Sequence, residues 1–237
     1  MLTEVEGRDP ERWGIDDMPQ LVAEVRASGD QPLEIEVLRR YGFAVPTDAA
    51  LDAIVACSPR GVLELGAGTG HWAALLARRG VDVVAYDVEP PPSLANAWFA
   101  GVQPWHQVHR GDERVVEECP ERSLLLVWPT RNETWASDAV DRYHAAGGHH
   151  VVFVGEGPGG RTGDSGFHAR LGETDTCIAC TFGVADTACT CGIEAHWTRS
   201  WRTMLPAWHG ADTALYVYEP ARAAAPRSPW RRRQRHP

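Results

Sequence analysis

Val62-Leu63-Glu64-Leu65-Gly66-Ala67-Gly68-Thr69-Gly70-His71-Trp72 decides how this chain is read. An apolar run carrying one acid leads into a glycine-rich turn. Trp72-Ala73-Ala74-Leu75-Leu76-Ala77 then has the apolar spacing of a helix. Strand, glycine loop and helix form the opening unit of a nucleotide-binding α/β sheet. The glycine spacing narrows the ligand. A dinucleotide loop needs G-x-G-x-x-G, with the third glycine opening the helix beneath a pyrophosphate. Here the third glycine is Gly70, one residue early, and His71 stands where that rule wants glycine. Glu64 precedes the turn. A carboxylate there repels a pyrophosphate but suits a cationic amino-acid group.

The pattern continues in both directions. Strands are expected at 62–65, 81–86, 107–109, 124–128 and 150–154, with helices over 70–79, 93–100 and 135–146 between them. Near-continuous apolar strands are buried on both faces, which means a parallel sheet covered by helices. A closing strand at 214–218 has a candidate neighbour in 194–202. Upstream, Asp17-Met18-Pro19 opens one short helix, 33–40 has helical character, and Pro46-Thr47-Asp48 caps a third helix. The expected fold is α/β: a Rossmann-like, doubly wound, mostly parallel seven-stranded sheet with helices on both faces. Residues 1–59 form a leading helical segment or lid. Residues 60–220 form the nucleotide domain, with a cysteine-containing insert at 173–192, and 221–237 form a disordered arginine-rich tail.

Glu64-Leu65-Gly66-Ala67-Gly68-Thr69-Gly70 resembles motif I of class I S-adenosylmethionine (SAM)-dependent methyltransferases, E/D-x-G-x-G-x-G. From Tyr41-Gly42-Phe43 through Asp87 the chain also resembles a little-characterised bacterial group of methyltransferase-like proteins. The resemblance spans roughly residues 60–219, and its specific motifs lie between Val62 and Trp128. It implies SAM as cofactor, S-adenosylhomocysteine (SAH) as product, and a final antiparallel strand pair. Gly66, Gly68 and Gly70 would let backbone approach the ligand closely. Glu64 would order the loop and the methionyl ammonium end. Asp87, ending the second strand, can accept both ribose hydroxyls, by the logic that places an acid beyond a Rossmann glycine loop. Val88 or Glu89 would lie near the adenine, Asp112 would accept from its amino group, and His71 would lie near the ligand. Trp128-Pro129-Thr130 ends the fourth strand, where the acceptor meets the methyl group. Relatives that methylate nucleic-acid amines carry N/D-P-P-Y/F/W there. Val127-Trp128 and a single proline depart from that pattern and favour a small organic acceptor or a peptide side chain.

Methyl transfer from a sulfonium is an in-line displacement that proximity and orientation drive. A base is needed only where the acceptor must lose a proton early. Glu156 and His168, beyond the fifth strand, are the candidate catalytic residues, with His106 and His109 as weaker alternatives. Trp13 and Tyr41 are candidate lid residues, and Trp105, Trp128, Trp197 and Trp201 are candidates to wall an apolar pocket. Cys177-Ile178-Ala179-Cys180 and Cys189-Thr190-Cys191 make an imperfect zinc pattern, with free or redox-active thiols as the alternative. If zinc binds, it is structural, with Cys177, Cys180, Cys189 and Cys191 as ligands and His196 as an additional one.

All 23 basic residues are arginine, as a GC-rich coding sequence favours. Six of them, and no acid, lie between Ala221 and Pro237, which leaves 17 arginines against 32 acids elsewhere. Such an acidic body matches phosphate backbones poorly, so nucleic acid is not the expected partner. No apolar run approaches the roughly 18–20 residues of a membrane span, and residues 1–10 do not read as a signal peptide. The expectation is a cytoplasmic enzyme methylating an oxygen or nitrogen atom of a small molecule, in natural-product biosynthesis. Two alternatives stand beside it: a peptide, protein or RNA methyltransferase that docks through the arginine tail, and a SAM-binding module without turnover.

Overall fold

The computed structural model of the chain describes residues 10–173, 193–206, 208 and 212–221. Seven strands make one sheet: β1 (Val62–Leu65), β2 (Val83–Asp87), β3 (Val108–Arg110), β4 (Ser123–Val127), β5 (Val151–Gly155), β6 (Trp197–Met204) and β7 (Ala214–Pro220). Their order is β3-β2-β1-β4-β5-β7-β6. The first five pair in parallel, and β7 runs antiparallel between β5 and β6. This is the Rossmann-like sheet read from the sequence, including its closing antiparallel pair. The strand order reverses between β1 and β4, which opens a crevice at the carboxyl ends of the strands.

Six helices surround the sheet among the described residues: α1 (Met18–Ser28), α2 (Gln31–Tyr41), α3 (Asp48–Cys57), α4 (His71–Arg78), α5 (Trp135–Ala145) and α6 (Ser165–Arg170). Side chains alternate across each strand. Leu63, Leu65, Leu124, Leu126, Val151 and Phe153 meet α5 and α6 on one face. Val62, Leu125, Val152 and Val154 meet α3 and α4 on the other. By that alternation Glu64 shares the second face with Val62, a carboxyl in an otherwise apolar row. The leading segment has its own core, in which Trp13, Met18, Val25, Val37 and Tyr41 pack with Trp208. It is pinned onto the glycine loop and α4. Trp72 Nε1 donates to Ala44 O at 3.2 Å, and Arg78 pairs with Asp16 at 2.7 Å.

Caps fall where short polar residues stand. Thr47 accepts from the Ala50 amide, Asp30 from Leu33, and Asp164 from Phe167 and Gly166. Asp17 sits at the start of α1 but accepts from Gly14 N instead of capping the helix.

Residues 93–100 are a correction: they form turns, not a helix. Pro90, Pro91 and Pro92 remove three consecutive amides just upstream. Asn96 then takes the remaining donors. Its Oδ1 accepts from the Trp98 and Phe99 amides at 2.9 and 2.7 Å, and its Nδ2 donates to Glu89 O at 2.6 Å. Side-chain bonding of this kind competes with helix formation. The result is a loop that folds back over β1–α4.

Candidate functional site

A cavity of about 810 Å³ opens at the carboxyl ends of β1, β2 and β4. The glycine loop forms its floor. Ala67 N donates to Tyr86 O at 2.9 Å, and Gly68 N donates to Asp87 Oδ2 at 3.0 Å, so the loop is tied to the end of β2. Asp87 Oδ1 accepts from Glu89 N at 3.0 Å, which fixes the carboxylate against the crevice it lines. Gly66 and Gly68 have φ of 71° and 52°, backbone that side chains disfavour. An added Cβ would lie 2.8 Å from Trp135 Cη2 at Gly66 and 2.5 Å from Phe99 Cε2 at Gly68. Two aromatic rings therefore sit directly on the loop.

Glu64 lies beneath that floor, 1% exposed, and its Oε2 has no hydrogen-bond partner among the described residues. Burial pushes its pKa up to about 8; the Ala73 amide opposes this and the Asp87 charge adds to it. His71 is 2% exposed, with Nε2 at 2.7 Å from Ile15 O. A carbonyl only accepts, so Nε2 carries the proton of the neutral ring and Nδ1 is left as a buried acceptor without a partner. Burial drives the His71 pKa down to about 4 despite that carbonyl.

The remaining predicted cofactor residues also line the cavity: Val88, Asp112 and Trp128. Asp112 is committed elsewhere as well. It accepts from the Arg114 amide at 3.1 Å and pairs with the Arg114 side chain, whose hydrogen bonds hold its pKa down at about 2. Trp128 has φ of 54°, an outlier for so bulky a residue. Its amide donates to Val154 O at 2.7 Å, which anchors the strained turn to β5.

The two catalytic candidates are not on this wall. Glu156 lies just after β5, 6% exposed, and faces a neighbouring cavity. It accepts from Arg161 N at 2.6 Å, Nε at 3.0 Å and Nη2 at 2.8 Å. Burial works against its charge, but these bonds win and hold the carboxyl below the usual range. His168 is buried in α6, with Nε2 2.9 Å from Thr162 O and its ring edge-on to Phe153.

Of the four tryptophans expected to wall a pocket, Trp128 alone lines this one. Trp105 stacks under Arg40, Trp197 is buried against Tyr143, and Trp201 lies on the edge strand β6. Trp13 is core, while Tyr41 reaches the cavity wall. His109 packs on Tyr86. Cys177, Cys180, Cys189 and Cys191, and the arginines beyond residue 221, lie outside the described residues. No group of three or more metal-ligating side chains occurs among the described residues. None of their helices is long and apolar enough to cross a membrane.

Sequence reading missed Phe43, Trp98, Phe99, Trp135 and Arg161, all of which line the cavity. A cue existed for Arg161, the lone arginine inside the glycine-rich stretch after β5. The aromatics come together only in the folded chain.

No family model and no curated protein matches the chain. Among solved structures it is similar to magnesium protoporphyrin IX methyltransferase (ChlM) from Synechocystis PCC 6803 with bound SAM. That match has 11% identity and a TM-score of 0.43, over 88% of this chain and 99% of that one. It is also similar to an rRNA methylase from Streptococcus thermophilus, at 11% identity and a TM-score of 0.39, over 75% and 98% of the two chains. A third similarity is to a protein described for conversion of a disulfide bond into a thioacetal group during echinomycin biosynthesis. It has 16% identity and a TM-score of 0.41, over 76% and 84% of the two chains. Likeness at this level decides nothing about chemistry. The fold is read from the strand order, and the chemistry from the cavity.

Proposed function

We propose that the chain is a SAM-dependent methyltransferase acting on a small-molecule acceptor. Glu64 carries this reading: a fully buried carboxyl whose free oxygen faces a glycine-floored cavity. A buried carboxyl without a partner costs stability, and an ammonium group entering the cavity would supply the missing partner. A dinucleotide would bring a pyrophosphate against this carboxyl instead. Glu64, Asp87 and the three loop glycines fit the amino-acid and ribose portions of SAM. Val88 and the Gly111–Asp112 turn fit the adenine end.

Bound SAM supplies a methyl group on a sulfonium, already activated for displacement. The chain's own residues bind and orient. Glu64 neutralises the ammonium and Asp87 accepts from the ribose hydroxyls. The rings of Phe99, Trp128 and Trp135 exclude water from the reacting end, where orientation supplies the rate. Glu156 acts in this reading as a positioning residue for Arg161, and His168 as a structural one.

A small acceptor is supported by the size of the cavity, which lies within the roughly 300–1,000 Å³ of small-molecule sites. The apolar end of β4, Val127-Trp128-Pro129, points the same way and suits tailoring of a natural product. Calorimetric titration with SAH tests the reading. Micromolar binding by the wild type and its loss in Asp87→Ala are expected. A folded wild type that binds neither SAM nor SAH overturns it.

A further inference from the structure

The cavity is divided by charge. Around the ends of β1, β2 and β3 its lining carries Glu64, Asp87, Glu89, Asp112 and Glu113 and no arginine. Around the ends of β4 and β5 the lining carries Arg131 and Arg161 against Glu133. Arg131 makes no hydrogen bond or ion pair with another described residue. Arg161 is half exposed, and its Nε and Nη2 are held by Glu156. Its guanidinium lies 5.8 Å from the centre of the Trp128 ring.

The same half carries an aromatic stack. Trp128 lies nearly parallel to Phe43, with centroids 6.0 Å apart and planes at 20°. Trp98 meets Phe43 edge-on at 5.4 Å and is 59% exposed, unusual for the largest apolar side chain. The left-handed backbone at Trp128 holds its ring at this place. Such strain persists where the surrounding structure imposes it, and it clusters at ligand clamps. Parallel ring faces with an exposed indole beside them favour a flat ligand. Guanidinium groups at their edge favour a carboxylate. With one arginine already shared with Glu156 and Glu133 nearby, one negative charge is balanced here and two are not.

Under the methyltransferase reading, on which this depends, the acid-lined half takes the cationic cofactor and the arginine-lined half takes the acceptor. We infer that the acceptor is a planar aromatic monocarboxylate. Its ring lies against the Trp128–Phe43–Trp98 cluster and its carboxylate against Arg131 and Arg161. The positive edge attracts this acceptor and repels aromatic amines.

Calorimetric titration of the full chain, with and without saturating SAH, tests the assignment. The probes are naphthoate, neutral naphthamide, naphthylmethylammonium and cyclohexanecarboxylate. Naphthoate should bind about tenfold more tightly than the amide or the saturated acid, the effect of one charge-assisted contact or one aromatic face. Arg131→Gln, at an exposed side chain, should abolish the preference for carboxylate over amide. Trp98→Ala should abolish the preference for the aromatic acid over the saturated one. Both variants should keep the wild-type circular dichroism spectrum and SAH affinity. Equal binding of acid and amide, or tightest binding of the ammonium probe, overturns the inference. SAH binding without any naphthyl preference overturns it alone and leaves the methyltransferase reading standing. Naphthoate selectivity without SAH binding supports the carboxylate site and removes the methyltransferase reading.

Discussion

Glu64 in β1 and Glu156 just beyond β5 are both buried, yet they carry opposite electrostatics. Glu156 receives three hydrogen bonds from Arg161 and stays ionised. Glu64 has one oxygen unpartnered, and burial lifts its pKa to about 8. A carboxylate that serves the scaffold comes with its cation. One that serves a ligand is left unfinished, and the fold bears the cost until the ligand arrives. The two residues therefore separate by experiment.

The largest contrast is in cofactor affinity. Glu64→Gln should weaken SAH binding about 100-fold, the loss of a buried charge-assisted contact. Glu156→Gln should leave it within about twofold, since Glu156 lies off the cofactor half of the cavity. Equal losses at the two positions, measured by calorimetry, would break the comparison.

Stability should respond in the reverse sense. Glu156→Gln weakens the Arg161 contacts and should destabilise the free protein by about 1–3 kcal/mol in denaturant melts. Glu64→Gln should stabilise it at pH ~8, where the unfolded state of the wild type gains most from ionisation. The folded chain keeps a proton on Glu64 between its ordinary value of 4.5 and about 8, while the unfolded chain has released it. Wild-type stability from this group therefore falls as pH rises through that window and levels above it. A Glu64→Gln variant less stable than wild type at pH ~8 would show that the carboxyl has a partner in the folded state.

Affinity should carry the matching pH signature. An ammonium ligand needs the charged form of Glu64, so SAH binding should tighten up to about tenfold per unit from pH ~6 to ~7.5, and stay flat in Glu64→Gln. Flat wild-type behaviour would place the ammonium elsewhere.

The smallest effect belongs to His168. His168→Asn should cost about 1 kcal/mol of stability, through the Thr162 contact and the Phe153 packing. Turnover at saturating substrate should be unchanged. A large fall in turnover would return His168 to the reaction.

Much of this architecture was legible in the chain. Four-residue apolar runs such as Val62–Leu65 permit few alternatives to buried parallel strands. Gly66, Gly68 and Asp87 announced a loop tied to the second strand, because both needs are local: positive φ and a carboxylate at a strand end. Residues 93–100 misled because their apolar spacing is helical, while Asn96 spends its amide on the backbone. Glu156 read as a free base because its partner is invisible without the turn that brings Arg161 back onto it. Trp128 was placed correctly at the end of β4. Its left-handed backbone and its stacking on Phe43 arise from tertiary packing, which no local pattern encodes.

The most direct test of the central claim is proton release on SAH binding. Calorimetric titrations at pH ~7 in buffers of different ionisation enthalpy report it. Glu64 is mostly protonated in the free protein at that pH and must ionise to meet an ammonium group. The account predicts release of nearly one proton per SAH bound by the wild type and none by Glu64→Gln. Tight SAH binding without proton release, or with the same release in Glu64→Gln, would contradict it.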